Sequence, residues 1–256
     1  MKGETERKSI NLKFLVFGES RLGKTCLIER YVDGTFKDYN LRTIWMDIRR
    51  KILEINQTDI FLNITDTAGL ERFRSLTKMY YKGTDAILVG FDLTDPHTLE
   101  QIKIFWIDQV EKNASKEFPI NIVLFGNKCD DKNNIKVKEE DIKKVQEKYN
   151  QYNIKYFETS SKDGTNVKEL FEYATKMALK SRGLLPKVGL PEDTPLEKIN
   201  IVEKINQKIE FKKIPKKSKK QIGLLKENNN NNEINNTEKE NGEIGEFKKL
   251  NKYYNF

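Results

Sequence analysis

The run Gly18-Glu19-Ser20-Arg21-Leu22-Gly23-Lys24-Thr25 constrains this chain more than any other feature. It fits the spacing G-x-x-x-x-G-K-[ST] and lies between an apolar run, residues 10–17, and a helical one, residues 26–32. A chain that must leave a buried strand, curl tightly and enter a helix has few folds open to it. The glycines let the backbone curl so that successive N–H groups converge on phosphate oxygens. The helix N-terminus adds a partial positive charge. In that geometry Lys24 reaches the β- and γ-phosphates and the Thr25 hydroxyl binds Mg2+. The plainer alternative is a glycine-rich strand-to-helix turn with no ligand.

Short apolar runs recur at residues 10–17, 60–64, 86–91 and 120–125, each bounded by Gly, Asp, Asn or Thr. Strands buried on both faces read this way. Between them lie helical patterns. Leu99, Ile102, Phe105, Trp106 and Val110 share one stripe, and Leu170, Phe171, Ala174, Met177 and Ala178 share another. The alternation predicts a mainly parallel sheet covered by helices on both sides. Residues 44–55 and 59–65 read as a hairpin around residues 56–58, which adds one antiparallel strand.

Two further motifs narrow the ligand. Asn127-Lys128-Cys129-Asp130 stands at the end of an apolar run, where open α/β sheets bind ligands. A carboxylate there accepts two hydrogen bonds from guanine, N1–H and the exocyclic amine, and adenine offers neither pattern. Recognition of this kind discriminates by ~10⁴ or more. Asp66-Thr67-Ala68-Gly69 ends another apolar run. Asp66 there can hold Mg2+ through water, and Gly69 can turn a backbone N–H toward the γ-phosphate. Glu158-Thr159-Ser160-Ser161-Lys162 follows a further short run and can close over the base.

These four motifs, in this order, resemble the small GTPases of the Ras superfamily over about residues 9–180. Arg72-Phe73-Arg74-Ser75-Leu76-Thr77, Tyr80-Tyr81-Lys82-Gly83 and Phe91-Asp92-Leu93-Thr94-Asp95 narrow the resemblance to the Rab family. It implies a three-layer α/β P-loop G domain with a mixed six-stranded sheet, GTP/GDP and Mg2+ as ligands, and a switch acting in vesicle traffic. It implies that residues 18–26, from Gly18 through Lys24 and Thr25 to Cys26, line the phosphates, and that Asn127, Lys128 and Asp130 read the base. Ser160, Ser161 and Lys162 would contact the base partly through backbone. Phe36 becomes the aromatic against guanine, although by itself it reads as a packed surface residue. Thr43 becomes the threonine that binds Mg2+ beside Thr25 and Asp66. Lys24, Thr43 and Gly69 would carry catalysis. Implied partners are effector, exchange-factor and GAP proteins meeting a monomer through the switch regions, in the cytoplasm or on the cytosolic face of internal membranes.

The chain departs from the family at several points. Leu70 stands where the family has the glutamine that orients the attacking water. Slow intrinsic hydrolysis follows, although a GAP can supply the missing group in trans; the alternative is a constitutively GTP-bound scaffold. Arg21 replaces a small residue in the phosphate loop. Trp45 and Thr65 alter positions in or beside the surface that effectors read, so no known effector is transferred. No cysteine follows Cys129, so this chain is expected to lack C-terminal prenylation.

Composition describes the remainder. Hydrophobic residues make up 37% of the 256 and charged residues 34%, against about 45–50% and 25% in ordinary domains. That polar excess implies a globular part plus a solvated part. Residues 1–8 read as disordered, and residues 181–256 as a mostly disordered, flexible tail. Thr194-Pro195-Leu196-Glu197 reads as a helix start. Leu196, Ile199, Val202, Ile205 and Ile209 follow at helical spacing, which predicts an amphipathic helix near 195–211. Residues 211–220 then carry six lysines and no acid. This segment admits peripheral contact with an anionic membrane, a helix packed back on the domain, a partner helix, a nuclear address or a solvated linker. Nucleic-acid binding is disfavoured, because the basic tail lacks interleaved stacking aromatics. Two cysteines and one histidine exclude a disulfide framework, a His-based triad and a Cys/His zinc site.

Overall fold

A computed structural model of the chain describes residues 7–37, 47–66, 81–113, 119 and 121–204. The strand β1 (Ser9–Gly18) leads into the helix α1 (Lys24–Asp33). The strands β2 (Asp47–Ile55) and β3 (Thr58–Asp66) follow, then β4 (Ala86–Asp92). The helix α2 has three consecutive parts: Pro96–Gln101, a π turn at Ile102–Trp106, and Ile107–Asn113. After it come β5 (Ile122–Asn127), α3 (Glu139–Lys148), β6 (Lys155–Glu158), α4 (Val167–Ser181) and the two-residue strand β7 (Val202–Glu203). Among the described residues no helix is long and apolar enough to cross a membrane.

The sheet order is β6-β5-β4-β1-β3-β2-β7. β1 pairs in parallel with β3 and β4, and β5 pairs in parallel with β4 and β6; β2 runs antiparallel to β3. The alternation of strand side chains explains the three layers. Leu12, Phe14 and Val16 face one core together with Leu27 and Ile28 of α1 and Leu170, Phe171 and Ala174 of α4. Leu15 and Phe17 face the other, with Ile102, Trp106 and Val110 of α2 and Ile142 and Val145 of α3. The turn between β2 and β3 is Asn56-Gln57, both left-handed at φ 45 and 64. Two successive positive φ values suit the twist of a tight hairpin. β5 runs to Asn127, two residues past the apolar run of residues 120–125, so Asn127 is the last residue of the strand rather than part of the loop beyond it.

Two expectations fail at the end of the described chain. Among the described residues the sheet has seven strands, not six. The amphipathic helix does not form over residues 195–204. Leu196–Lys198 is a single 3-10 turn, and Val202 and Glu203 then pair antiparallel with Glu54 and Leu53 of β2. The helical stripe was misleading because burial there follows a period of two. Ile199 and Ile201 are 1% and 8% exposed, whereas Val202, a member of the supposed stripe, is 54% exposed. Thr194 does not cap forward; its hydroxyl donates to the Pro191 carbonyl at 2.6 Å. Pro195 and Ile199 are extended, and the open edge of β2 supplies the partner. Residues 205–211 lie outside the described residues.

The domain therefore continues beyond residue 180. Leu184, Leu185 and Val188 join the core of the α1/α4 face along with Ile199 and Ile201. The Asn56 amide donates to the Val188 carbonyl at 3.0 Å. Lys51 pairs with Glu203 at 3.0 Å, and Lys204 pairs with Glu54 at 2.7 Å and with Asp59. Residues 184–204 thus form a strap closing the hairpin end of the sheet, opposite the end that carries Gly18, Asp66 and Asn127.

Candidate functional site

The carboxyl ends of β1, β3 and β5 converge where the sheet order passes from β3 through β1 to β4, and each ends in a sequence motif. Beyond β1, Gly18 and Gly23 have φ 137 and 97. A Cβ on Gly18 would lie 2.3 Å from the Gly90 carbonyl oxygen, and one on Gly23 would lie 2.6 Å from the Asn127 amide nitrogen. Both glycines are required by close approach as well as by φ. Arg21 also sits in the left-handed region, at φ 68, with its side chain exposed. It points away from the loop interior but keeps a backbone conformation that costs an L-residue about 1–2 kcal/mol.

Lys24, 5% exposed, closes the loop on itself. Its ammonium donates to the Gly18 carbonyl at 2.7 Å and the Glu19 carbonyl at 2.9 Å. The Thr25 hydroxyl donates to Asp66 Oδ2 at 2.5 Å. Asp66 is the last residue of β3 and is 2% exposed. A threonine hydroxyl and a buried carboxylate held together are hard oxygen donors of the kind Mg2+ prefers, and an ammonium and a row of loop amides lie beside them. The residues present therefore fit a Mg2+–phosphate group.

Asn127, 1% exposed, joins the two halves of the site. Its amide donates to the Leu22 carbonyl at 2.7 Å, in the phosphate loop, and to Ser161 Oγ at 3.0 Å. Its carbonyl oxygen accepts from the Ser161 backbone N–H at 3.1 Å and from the Thr159 hydroxyl at 3.3 Å. Lys128 follows at φ 70, and its ammonium reaches Asp92 Oδ2 at 2.5 Å. Asp130 Oδ1 accepts from the Ser160 hydroxyl at 2.6 Å, and the Lys162 ammonium lies 4.0 Å from Oδ2. Ser160 Oγ in turn accepts the backbone N–H groups of Lys162 and Asp163, each at 3.1 Å. The structure thus brings Asn127, Lys128, Asp130, Ser160, Ser161 and Lys162 into one network around a half-buried carboxylate.

Sequence reasoning missed three members of this arrangement. Arg30 of α1 donates from Nε to the Ser161 carbonyl at 2.9 Å, from Nη1 to the Gly34 carbonyl at 3.0 Å and from Nη2 to the Lys162 carbonyl. An arginine on the polar side of a helix carries no signal of such a role. Asp92 anchors Lys128 while its Oδ1 accepts the Thr94 N–H at 2.8 Å. Trp106 reads only as a core residue, yet its indole N–H donates to Glu19 Oε1 at 3.2 Å.

Phe36 lies half-buried in the loop after α1. Thr43, Trp45, Gly69 and Leu70 lie outside the described residues. Thr65 is 3% exposed, so it cannot itself be touched by a partner reading that surface. Cys26 is half-buried, with Sγ 3.6 Å from the Lys37 carbonyl. Burial, with Asp163, Asp130 and Glu158 nearby, pushes the Cys129 thiol above its usual range, which is unsuited to a reactive thiolate.

Comparison with known proteins agrees with this arrangement. The family model for the Ras family matches residues 13–180. The chain is 39% identical to the Ras-related protein Rab-13 of Canis lupus familiaris over 173 residues, covering 67% of this chain and 82% of that one. It is 39% identical over 160 residues to the Ras-related protein Rab-8B of Dictyostelium discoideum, covering 62% and 76%. It is 37% identical over 170 residues to the Ras-related protein RABD2c of Arabidopsis thaliana, covering 66% and 81%. The matched span runs from β1 to the end of α4 and holds all four motifs. The strap of residues 184–204 lies beyond the family match. On its fold, its site and these similarities, the chain belongs to the Rab family of small GTPases within the Ras superfamily.

Proposed function

We propose that this protein binds GTP and GDP with Mg2+ and hydrolyses GTP slowly, as a switch in vesicle traffic on the cytosolic face of internal membranes. The observation that carries the reading is the Asn127 side chain. It ties the Leu22 carbonyl of the phosphate loop to Ser161 of the base loop, so the ammonium of Lys24 and the carboxylate of Asp130 belong to one rigid cleft. Asp130 reads guanine by accepting N1–H and the exocyclic amine. Lys24 exchanges its loop carbonyls for β- and γ-phosphate oxygens and stabilises charge that moves onto the leaving group. Thr25 and Asp66 would hold Mg2+, which when bound would neutralise phosphate charge. In the reaction a water oxygen bonds to the γ-phosphorus, the bond to the β,γ-bridging oxygen breaks, and the water proton passes to the released phosphate. Thr43 and the Gly69 amide sense the γ-phosphate and order the switch segments that effectors, exchange factors and GAPs meet.

Leu70 can neither orient that water nor donate to it, which supports slow intrinsic turnover. Single-turnover hydrolysis by the purified chain beside Leu70→Gln, with bound nucleotide quantified at the start, tests both parts. The expected result is retained GTP in the parent and a turnover at least tenfold faster in the variant. An ordinary rate in the parent sinks the assignment of Leu70. Absence of any bound guanine nucleotide sinks the whole reading. A parent that keeps GTP indefinitely, even with a GAP, favours the GTP-bound scaffold.

A further inference from the structure

Glu19 is the second residue of the phosphate loop, and its two ends face different ways. Its carbonyl accepts the Lys24 ammonium at 2.9 Å, while its carboxylate accepts the Trp106 indole N–H at 3.2 Å. Trp106 is 3% exposed and its ring stacks on Phe17, the residue before Gly18, at 5.6 Å between centroids and 21° between planes. Phe17 packs in turn on Tyr81 at 5.3 Å. The indole is therefore wedged beneath the point where β1 becomes the loop, with one polar atom, and that atom is spent on Glu19.

Trp106 closes the π turn of α2. A π turn inserts one residue, shifts the helical register beyond it, and often marks a functional position. Here it is held open from outside. The Lys103 carbonyl, inside the turn, accepts from the Tyr149 hydroxyl at 2.9 Å and from the Lys148 ammonium at 2.6 Å. Tyr149 is itself buried at the end of α3. A side chain that takes over a helix carbonyl is a recognised cause of such irregularities. The chain of contacts therefore runs from Tyr149 through the π turn and Trp106 to Glu19 and Lys24.

We infer that Trp106 is a positioning residue for nucleotide binding: its indole N–H holds the Glu19 carboxylate on the α2 side of the phosphate loop, away from the phosphates. This rests on the nucleotide reading above. A carboxylate within a phosphate-binding loop repels the ligand and competes for Lys24 unless it is drawn aside. A hydrogen bond to the Glu19 carboxylate from a buried donor does that.

The test is a double-mutant cycle on the full chain, read as the dissociation rate of a fluorescent GDP analogue. Trp106→Phe keeps an aromatic ring on Phe17 and deletes only the N–H. Glu19→Gln keeps an acceptor and deletes the charge. The expected result is that Trp106→Phe speeds release at least fivefold in the parent and less than twofold in the Glu19→Gln background. A purely structural role would instead give the same factor in both backgrounds, and that outcome, or no change in the parent, overturns the inference. If Trp106→Phe does not accumulate as folded protein, Tyr149→Phe perturbs the π turn from outside. It should then give a smaller acceleration that also vanishes with Glu19→Gln. A parent that takes up no GDP analogue overturns the nucleotide reading itself, whereas normal uptake with an unchanged cycle removes only the role of Trp106.

Discussion

Replacing Ile199 by alanine probes what holds the strap to the domain. Ile199 is 1% exposed and packs with Ile201 in the core of the α1/α4 face. Truncating a buried isoleucine to alanine costs about 2–5 kcal/mol; at the rim, where the strap can settle into the space, the lower end, about 2 kcal/mol, is the better figure. The remaining attachments are weaker singly. β7 pairs with only two residues of β2, and the ion pairs of Lys204 and Glu203 are partly exposed, so each contributes about 1 kcal/mol or less. The loss should therefore appear as local opening of the strap while the body stays closed. Hydrogen exchange followed by peptide mass spectrometry reads this directly. The Lys204 amide, which donates to the Ile52 carbonyl at 3.1 Å, should exchange roughly 30-fold faster, because ~1.4 kcal/mol is a factor of ten. Peptides from β4 and β5 should be unchanged. Equal loss of protection across the whole sheet would show that the strap unfolds only with the body. No change at Lys204 would show that Ile199 does not hold it.

Arg21→Gly should raise thermal stability. Relieving φ 68 in an L-residue returns about 1–2 kcal/mol and added backbone freedom takes back about 0.5–1 kcal/mol, so Tm measured by calorimetry should rise by a few degrees. A fall would mean that the exposed side chain makes a contribution larger than the strain. The ammonium of Lys13, in β1, has its pKa lowered to about 8, by burial first, against the attraction of Asp85. The native state then binds fewer protons than the unfolded chain between about pH 8 and the usual 10.5, so the contribution of this group to stability rises with pH across that window. Lys13→Met should accordingly stabilise the protein by about 1–2 kcal/mol at pH 7, discounted for its partial exposure, and the gain should shrink toward pH 10. Urea unfolding at several pH values checks the sign, and a gain that grows with pH would refute it. The lysines of residues 211–220 should bind the full chain to vesicles containing phosphatidylserine, by roughly 1 kcal/mol per lysine in contact. Burial of Ile199 and Ile201 removes them from any membrane-facing stripe, so this attachment should vanish at 0.5 M salt. Salt-resistant binding would point to an apolar anchor instead.

The two kinds of information divide cleanly along this chain. Local chemistry made the phosphate loop, Asp66 and Asn127-Lys128-Cys129-Asp130 readable, because each needs particular residue types at short spacing and each stands at the end of an apolar run. The hairpin was readable as two runs flanking residues 56–58, although its turn is Asn56-Gln57 and Thr58 already belongs to β3. Period alone could not decide residues 195–204, where a spacing of three or four and a spacing of two share Ile199. The choice fell to the open edge of β2 and to the space that Ile201, rather than Val202, fills against the domain. Arg30, Asp92 and Trp106 were equally silent, as their roles depend on carbonyls and carboxylates brought near by chain remote in sequence. What the sequence by itself determined is the family and the ligand-facing motifs, because those are short-range requirements of backbone curvature and hydrogen-bond type. Only the tertiary structure decided where the domain ends, which strand covers its edge and which buried side chains brace the site, because those depend on which surfaces remain unpaired once the sheet has formed.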